Sequence, residues 1–220
     1  MSILEALNER HSVRQYKNIP IEADLVTKLK EIIEGCNAES GLNIQLVLDD
    51  PDCFNVFLAK MGKFSNANNY IAIAGKKDRA DLDEAAGYFG ESIVLKAQEM
   101  GLNTCWVAGT FGRKKVKAVI KDDEKTVCVI AIGYGENQGS EHKSKPIEKL
   151  CSADLSAAPD WFKTGVDAAL KAPTALNQQK FVISLEDGEA KIIAKSGSMT
   201  KIDLGIVKYN FEAASGHKVK

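Results

Sequence analysis

The sequence predicts an α+β or α/β core on three observations. Helix-period and strand-period segments interleave along the chain, one long amphipathic pattern is followed by short apolar runs, and the second part of the chain weakly repeats the first. Ser2 with Glu5 three residues on has capping-box spacing, and Ile3, Leu4 and Leu7 mark the inner face of a first helix ending near Arg10. Leu25, Leu29, Ile32, Ile33 and Cys36 recur at helical spacing over residues 22–36. Residues 43–49 read as a strand, 53–61 as a short helix, and 70–74 as a buried strand ending at Gly75.

The longest pattern runs over 81–100. Leu82, Ala85, Ala86, Phe89, Ile93, Ala97 and Met100 trace one face, and Gly101 signals the C-terminus. Small residues in its first turns, Ala85, Ala86, Gly87 and Gly90, would admit a second backbone at close range. Residues 104–107 and 127–132 read as strands with a helix over 113–120 between them. Residues 137–152 lack hydrophobic periodicity and read as a loop or crossing segment. A helix over 160–171, a hairpin of 181–185 with 191–194, and a last helix over 203–214 complete the pattern.

Composition sets the outer limits. The chain has 220 residues, 45% hydrophobic and 27% charged, which excludes a disulfide mini-scaffold, a collagen-like fibre or a disordered tail. A chain of this size buries roughly 70–75% of its unfolded surface, so a full core is available. The net charge of −1 supplies no field to recruit nucleic acid or an anionic membrane, and neither is expected as a partner. Cys36, Cys53, Cys105, Cys128 and Cys151 are odd in number and form no Cys-x-x-Cys pair, which argues for reduced thiols in a cytoplasmic protein and against structural zinc. The N-terminus lacks the apolar stretch of a signal peptide, and no run reaches the ~18 residues that span a bilayer.

The internal repeat aligns Asn43 with Asn177, Leu42 with Leu176, Gln45 with Gln179, and, in the preceding helix, Ile32 with Val166. A second alignment sets Ile93-Val94 on Ile206-Val207. Either two helix–turn–strand units are alike by chance, or one chain carries a duplicated unit that does the work of two identical subunits. The halves would be unequal: 1–150, and a shortened 151–220, together one compact unit.

The segment Arg10-His11-Ser12-Val13-Arg14-Gln15-Tyr16 gathers two guanidinium groups, a hydroxyl and an imidazole just after a helix. In an extended chain Arg10, Ser12 and Arg14 would point the same way, a disposition suited to a phosphate or polyhydroxyl chain. On composition alone a solvated basic stretch remains the alternative. His142, His217 and Gly133-Tyr134-Gly135 carry weaker signals, read as exposed imidazoles and a strand-ending turn. His11, between ring-edge packing and solvent, stays open. Trp106, Trp161 and Phe111 divide evenly between cofactor packing and core packing, and Cys105 reads as an inert buried thiol.

That segment, followed by Ile19-Pro20-Ile21, resembles the opening signature of the FMN-dependent nitroreductase family. Ala172-Pro173-Thr174-Ala175-Leu176-Asn177-Gln178-Gln179 resembles the family's Ala-Pro-Ser-x-x-Asn-x-Gln motif. Thr104-Cys105-Trp106-Val107-Ala108-Gly109-Thr110-Phe111 is similar to its flavin-N5 loop, and Lys143-Ser144-Lys145-Pro146 to the basic pair closing its phosphate site. The order departs from the family: residues 36–45 hold a degraded copy of the second motif, with Glu39 and no proline, and the intact copy lies in the second half.

The resemblance implies a nitroreductase-like α+β fold with a central mixed β-sheet surrounded by helices. It further implies an internal duplication that mimics the family homodimer, in a single-chain pseudo-dimer branch. The cofactor implied is FMN, with NAD(P)H as electron donor. The first half would supply Arg10, His11, Ser12, Arg14, Val107, Ala108, Gly109, Lys143 and Lys145, and the second Ala172, Pro173, Thr174 and Asn177. Arg10, Arg14, Lys143 and Lys145 would neutralise the phosphate with Ser12 hydrogen-bonding nearby, Pro173 and Thr174 would lie against the ring, and Asn177 would offer its amide. Backbone N–H groups near Ala108 and Gly109 would face flavin N5. Ala108 stands where family members often carry Glu, so any role of that carboxylate is absent here.

The function implied is two-electron reduction of a small organic acceptor such as a nitroaromatic, quinone or enone, by ping-pong hydride transfer through the flavin, with no catalytic side chain or metal. The alternatives are a flavin-binding carrier or sensor without nicotinamide turnover, and a scaffold that has lost the flavin. The only partners expected are a small-molecule donor and acceptor, with the chain a monomer or a homodimer.

Overall fold

A computed structural model describes residues 1–220. Helix α1 (Ile3–Glu9) starts as predicted: Ser2 Oγ accepts from the Glu5 N–H at 3.3 Å, and the Glu5 carboxylate accepts from the Ser2 N–H at 2.7 Å. Helix α2 (Ala23–Ser40) ends at Gly41, whose φ of 67° makes the left-handed cap that leads directly into β1 (Asn43–Val47). The expected helix over 53–61 is two pieces. Pro51–Cys53 is a 3-10 turn capped by Asp50, Val56 is extended, and only Phe57–Met61 (α3) is α-helical.

Then come β2 (Tyr70–Lys76), α4 (Leu82–Glu99), β3 (Asn103–Val107) and β4 (Glu124–Gly133). The sheet order is β1-β2-β4-β3, and every pairing is antiparallel. The expected mixed sheet is therefore corrected. The α4 crossover does return the chain parallel to β2, but β4 takes the place between β2 and β3 and runs against both. The one parallel element on this sheet is the isolated bridge of Ser12 to Thr104 at its β3 edge.

The predicted helix over 113–120 is also corrected: it is a single 3-10 turn, Arg113–Lys115, followed by irregular chain. Side chains of β1 take up the backbone that a helix would need. Val119 donates its N–H to Gln45 Oε1 at 2.9 Å, and its carbonyl accepts from Asn43 Nδ2 at 2.9 Å and Gln45 Nε2 at 2.8 Å.

The sheet is buried on both faces, and its period-2 alternation divides the core. Ile71, Ile73, Cys128, Ile130 and Ile132 join the α4 side, whereas Tyr70, Ala72, Val129, Ala131, Cys105 and Val107 pack with Val13, Tyr16, Phe54 and Phe111 on the other. The first of these clusters continues into Phe162, Val166, Ile183, Ile206 and Phe211 from the later chain, so a single core spans residues before and after 150.

The later chain runs α5 (Asp160–Ala169), β5 (Phe181–Glu186), β6 (Glu189–Ala194) and α6 (Thr200–Ser215). The hairpin turns on Asp187 and Gly188, both at positive φ, the geometry that matches strand twist. Its edges are covered by single parallel bridges, Cys151 to Ile183 and Val219 to Ala190.

Helices α4 and α6 cross at backbone contact. A Cβ on Gly87 would lie 2.0 Å from the Ile202 carbonyl oxygen, and one on Gly205 would lie 2.0 Å from that of Glu84. The contact is reciprocal, so Gly205 answers Gly87, a phase different from the alignment of Ile93 with Ile206. Lys208 with Glu84 at 2.7 Å and Tyr88 O–H donating to Glu212 at 2.6 Å close its flanks. No helix is long and apolar enough to cross a membrane.

Candidate functional site

The first motif leaves α1 in extended conformation at Arg10 (φ −68°, ψ 115°) and joins the sheet edge, where the Val13 N–H donates to the Thr104 carbonyl at 3.0 Å. Val13 and Tyr16 are anchored inward, the Tyr16 hydroxyl donating to the Val13 carbonyl at 2.7 Å. The cations do not line up on one exposed side as expected. Arg10 is only 4% exposed, His11 and Ser12 are half-buried, and Arg14 is exposed, a gradient from interior to surface.

Arg10 is the unusual member. Its guanidinium makes no hydrogen bond within the chain, and its one charged partner is Glu91 Oε1, 3.9 Å from Nε. Glu91 lies on α4 with no exposed surface. Its Oε2 accepts from the Trp106 indole N–H at 2.9 Å, while Oε1 has no hydrogen bond. Burial pushes the Glu91 carboxyl up to about 7, against the opposing pull of Arg10 and the Trp106 bond. His142 approaches the same place from the crossing segment. Its Nε2 is buried without a partner, and burial, with the charges of Arg10 and His11, holds its pKa below the ordinary imidazole value.

The second motif follows α5. Ala172 is buried, Pro173 and Thr174 are half-buried, and Leu176 and Asn177 are exposed. Leu176, Asn177 and Gln179 all take left-handed backbone (φ 53°, 51° and 44°), which is costly for side-chain-bearing residues. Asp203 at the start of α6 restrains the loop, accepting from the Ala175 N–H at 2.8 Å and Gln178 Nε2 at 2.9 Å. Burial raises the Asp203 pKa, opposed by those two bonds. Sequence reasoning missed Asp203. The available signal was an acid in the first turn of the last helix, a position favoured by the helix dipole.

The basic pair meets this loop. The Lys143 carbonyl accepts from Asn177 Nδ2 at 3.0 Å and Gln179 Nε2 at 2.9 Å, and the Lys145 N–H donates to Gln179 Oε1 at 2.7 Å. The Lys145 ammonium is engaged by the Gln178 carbonyl, whereas that of Lys143 has no partner in the chain. Asn177 thus ties the loop to the crossing segment, its Oδ1 also accepting from Gln179 Nε2 at 2.8 Å.

In the third motif Val107 is buried, Ala108 half-buried and Gly109 exposed. Arg113 fixes the loop from below, donating to the carbonyls of Ala108 at 3.1 Å, Thr126 at 2.5 Å and Val127 at 3.2 Å. This role too was invisible in the sequence, where Arg113 reads as the first residue of a helix over 113–120.

The four segments touch in sequence around a ring. Ser12 bridges to Thr104; a Cβ on Gly139 would lie 2.7 Å from His11 Cβ; Lys143 and Lys145 bond residues 177–179; and a Cβ on Gly109 would lie 3.6 Å from the Met199 side chain, next to Ser198, whose carbonyl accepts from Gln178. A buried guanidinium left without a hydrogen bond is costly unless an acceptor completes it, whereas His142, whose other ring nitrogen meets the Leu170 backbone, would donate from Nε2 only as imidazolium. Arg10, with unpartnered Arg14 and Lys143 nearer the surface, fits a phosphate-bearing group such as FMN in charge and donor chemistry.

Comparison with known proteins identifies one matching family model and several similar folds. The family model described as "Putative TM nitroreductase" matches residues 2–215. The fold is similar to a putative nitroreductase from Thermotoga maritima, with 24% identity, 97% of this chain and 83% of that chain covered, and a TM-score of 0.71. It is similar to a putative NADH dehydrogenase/NAD(P)H nitroreductase from Parabacteroides distasonis at 22% identity, covering 67% and 95%, TM-score 0.52. A nitroreductase family protein from Streptococcus pneumoniae shares 14% identity over 68% of this chain and 98% of that one, TM-score 0.53. No curated protein matches the chain.

Proposed function

Because the chain belongs to the nitroreductase family whose model is described as "Putative TM nitroreductase", we propose that it is an FMN-dependent NAD(P)H oxidoreductase. Its acceptor would be a small organic molecule, such as a nitroaromatic, quinone or enone. The observation that carries this reading is the buried Arg10, whose guanidinium has no hydrogen bond, within a ring of four contacting segments. FMN, when bound, supplies the capacity to pass two electrons between a nicotinamide and an acceptor.

The chain's part is to hold and orient. Arg10, Arg14 and Lys143 neutralise the phosphate, and Ser12 adds a hydrogen bond, joined by His142 only when its imidazole is protonated. Lys145 and Asn177 keep the loop of residues 172–179 against the crossing segment, so that Pro173 and Thr174 present a fixed wall. Arg113 fixes the Ala108–Gly109 turn.

The site joins two halves of one chain in the manner of a dimer interface. Apart from α3, which is inserted between β1 and β2, the order helix–strand–strand–helix recurs, α2-β1-β2-α4 against α5-β5-β6-α6, and with the reciprocal Gly87 and Gly205 contacts this supports a pseudo-dimer reading. The later half has no counterpart of residues 10–14, so one flavin per chain is expected.

A second reading, a flavin carrier or sensor, is favoured by Ala108, whose carbonyl is already engaged by Arg113 and whose side chain offers no acid. Anaerobic titration of the FMN-loaded protein with NADH and then NADPH tests the choice. Bleaching of the visible flavin band by either donor, and its return on adding a quinone, is expected; a retained flavin that neither donor bleaches overturns the oxidoreductase and leaves the carrier.

A further inference from the structure

Glu91 is the one fully buried carboxylate next to the candidate site, and no role in binding FMN falls to it. Its two oxygens face two different site segments. Oε1 lies 3.9 Å from Arg10 Nε, and Oε2 accepts from Trp106, one residue ahead of the Val107–Gly109 turn. Gly90 makes room for this: a Cβ there would lie 2.3 Å from the outer edge of the Trp106 ring, so the indole reaches the helix only because residue 90 has no side chain.

We propose that Glu91 is a positioning residue for the cofactor site. Through one carboxylate it sets Arg10 of the first segment relative to Trp106 of the third, and its negative charge competes with the ligand phosphate for Arg10. This rests on the FMN reading above. The competition follows from geometry: an Arg10 guanidinium that has no hydrogen bond and a single charged neighbour has its donors free, and an arriving phosphate brings a second negative charge toward Glu91.

The groups facing Glu91 are few. They are Arg10 from the end of α1, Trp106 from β3 and Tyr209 from α6, with His142 and His11 beyond Arg10. None supplies a second positive charge on the Glu91 side. Phosphate binding therefore favours protonation of Glu91, and the bound state takes up a proton. Affinity falls as pH rises through the range in which free-state Glu91 ionises, around neutrality.

The experiment compares FMN dissociation constants of the wild-type chain and Glu91→Gln from pH 6 to 8.5. Gln keeps the size and an acceptor for Trp106 but cannot ionise. In parallel, Trp106 emission is followed against pH in the FMN-free chain, with Trp161→Phe introduced because Trp161 stacks on His217 at 4.2 Å and would report that imidazole. Wild-type affinity is expected to drop by about fivefold or more relative to Glu91→Gln across this range. Trp106 emission is expected to show a transition near neutrality that Glu91→Gln lacks.

Parallel pH profiles, or a Trp106 emission insensitive to pH, overturn the role of Glu91 while leaving the FMN site intact. If neither protein retains FMN at any pH, the cofactor reading falls and this one with it. Should Glu91→Gln not fold, Trp106→Phe carries the test. Loss of the indole donor moves the Glu91 titration, and the fall in FMN affinity, to higher pH; an unmoved midpoint overturns the proposal.

Discussion

Two of the helix-to-strand connections in this chain, α2 to β1 and α5 to β5, are aligned by the internal repeat and are built in opposite ways. The one from α2 to β1 is held mainly by its own residues, with one outside partner, Arg79, which donates to the Ser40 carbonyl at 2.6 Å. Gly41 caps the helix, Ser40 Oγ donates to the Cys36 carbonyl, and Asn37 exchanges two hydrogen bonds with Ile44, at 2.9 and 2.8 Å. The one from α5 to β5 is longer, holds three left-handed residues with side chains, and depends on Asp203, Lys143 and Lys145 from elsewhere. It also leaves Leu176 99% exposed. A turn whose polar groups are nearly all taken up close by has little to offer a ligand. A turn held open by distant residues keeps side chains available, at a cost in backbone strain.

The comparison depends on the α4–α6 crossing, which holds the later connection against the sheet-bearing half. Its largest test is Gly87→Ala. In an ordinary helix this change stabilises, but here the new Cβ meets the Ile202 carbonyl, and a loss of about 3 kcal/mol or more in denaturant unfolding is expected. A stability unchanged or increased would show that the helices separate readily and that the halves are not held in register by this contact.

Next comes the pH dependence of Glu91→Gln. The native Glu91 carboxyl sits near 7, well above the unfolded-state value near 4.5, so the native state binds the extra proton in between and the wild-type chain loses stability as pH rises from about 4.5 to 7. The stability difference should move in favour of Glu91→Gln by about 2–3 kcal/mol between pH 5 and pH 8, read by urea unfolding at each pH. A constant difference would mean that Glu91 ionises as freely in the folded chain as in the unfolded one.

The paired asparagines divide the two connections directly. Asn37→Ala removes both bonds to Ile44 and should cost about 1–3 kcal/mol of stability with FMN retention unchanged. Asn177→Ala should leave the melting temperature within a few degrees of wild type and weaken FMN binding about tenfold, as the loop detaches from Lys143. The reverse pattern would break the assignment of the later connection as the ligand-holding one. The smallest effect is expected at Gly35 on α2, where a Cβ meets nothing within 4 Å; Gly35→Ala should stabilise by about 0.5–1 kcal/mol, in contrast to Gly87→Ala.

The elements legible in the sequence were those whose pattern is local. The apolar face of α4, the Ser2 capping box and the Asp187-Gly188 hairpin carry their own signals. Residues 113–120 were misread because the physics there is not local: Asn43 and Gln45 take the Val119 backbone, and Arg113 spends its guanidinium on three carbonyls. The sheet was misread for the same reason, since the place of β4 between β2 and β3 is decided by long-range pairing.

In the site, residue types and spacing singled out residues 10–16, and the family resemblance the other three segments, and the fold brings these into contact. They could not show that Arg10 turns inward, that Glu91 faces it, or that Lys145 is engaged while Lys143 is free. Burial and partnership are properties of the assembled chain, and a basic run looks the same whether solvated or enclosed.

The central claim is that segments from both parts of one chain form a single flavin site around Arg10. Equilibrium binding of FMN to the purified protein, with chain mass measured in the same sample, tests it most directly. One FMN per monomeric chain, lost on Arg10→Ala with the fold intact, is predicted; two FMN per chain, one FMN shared between two chains, or binding that survives Arg10→Ala undiminished would contradict it.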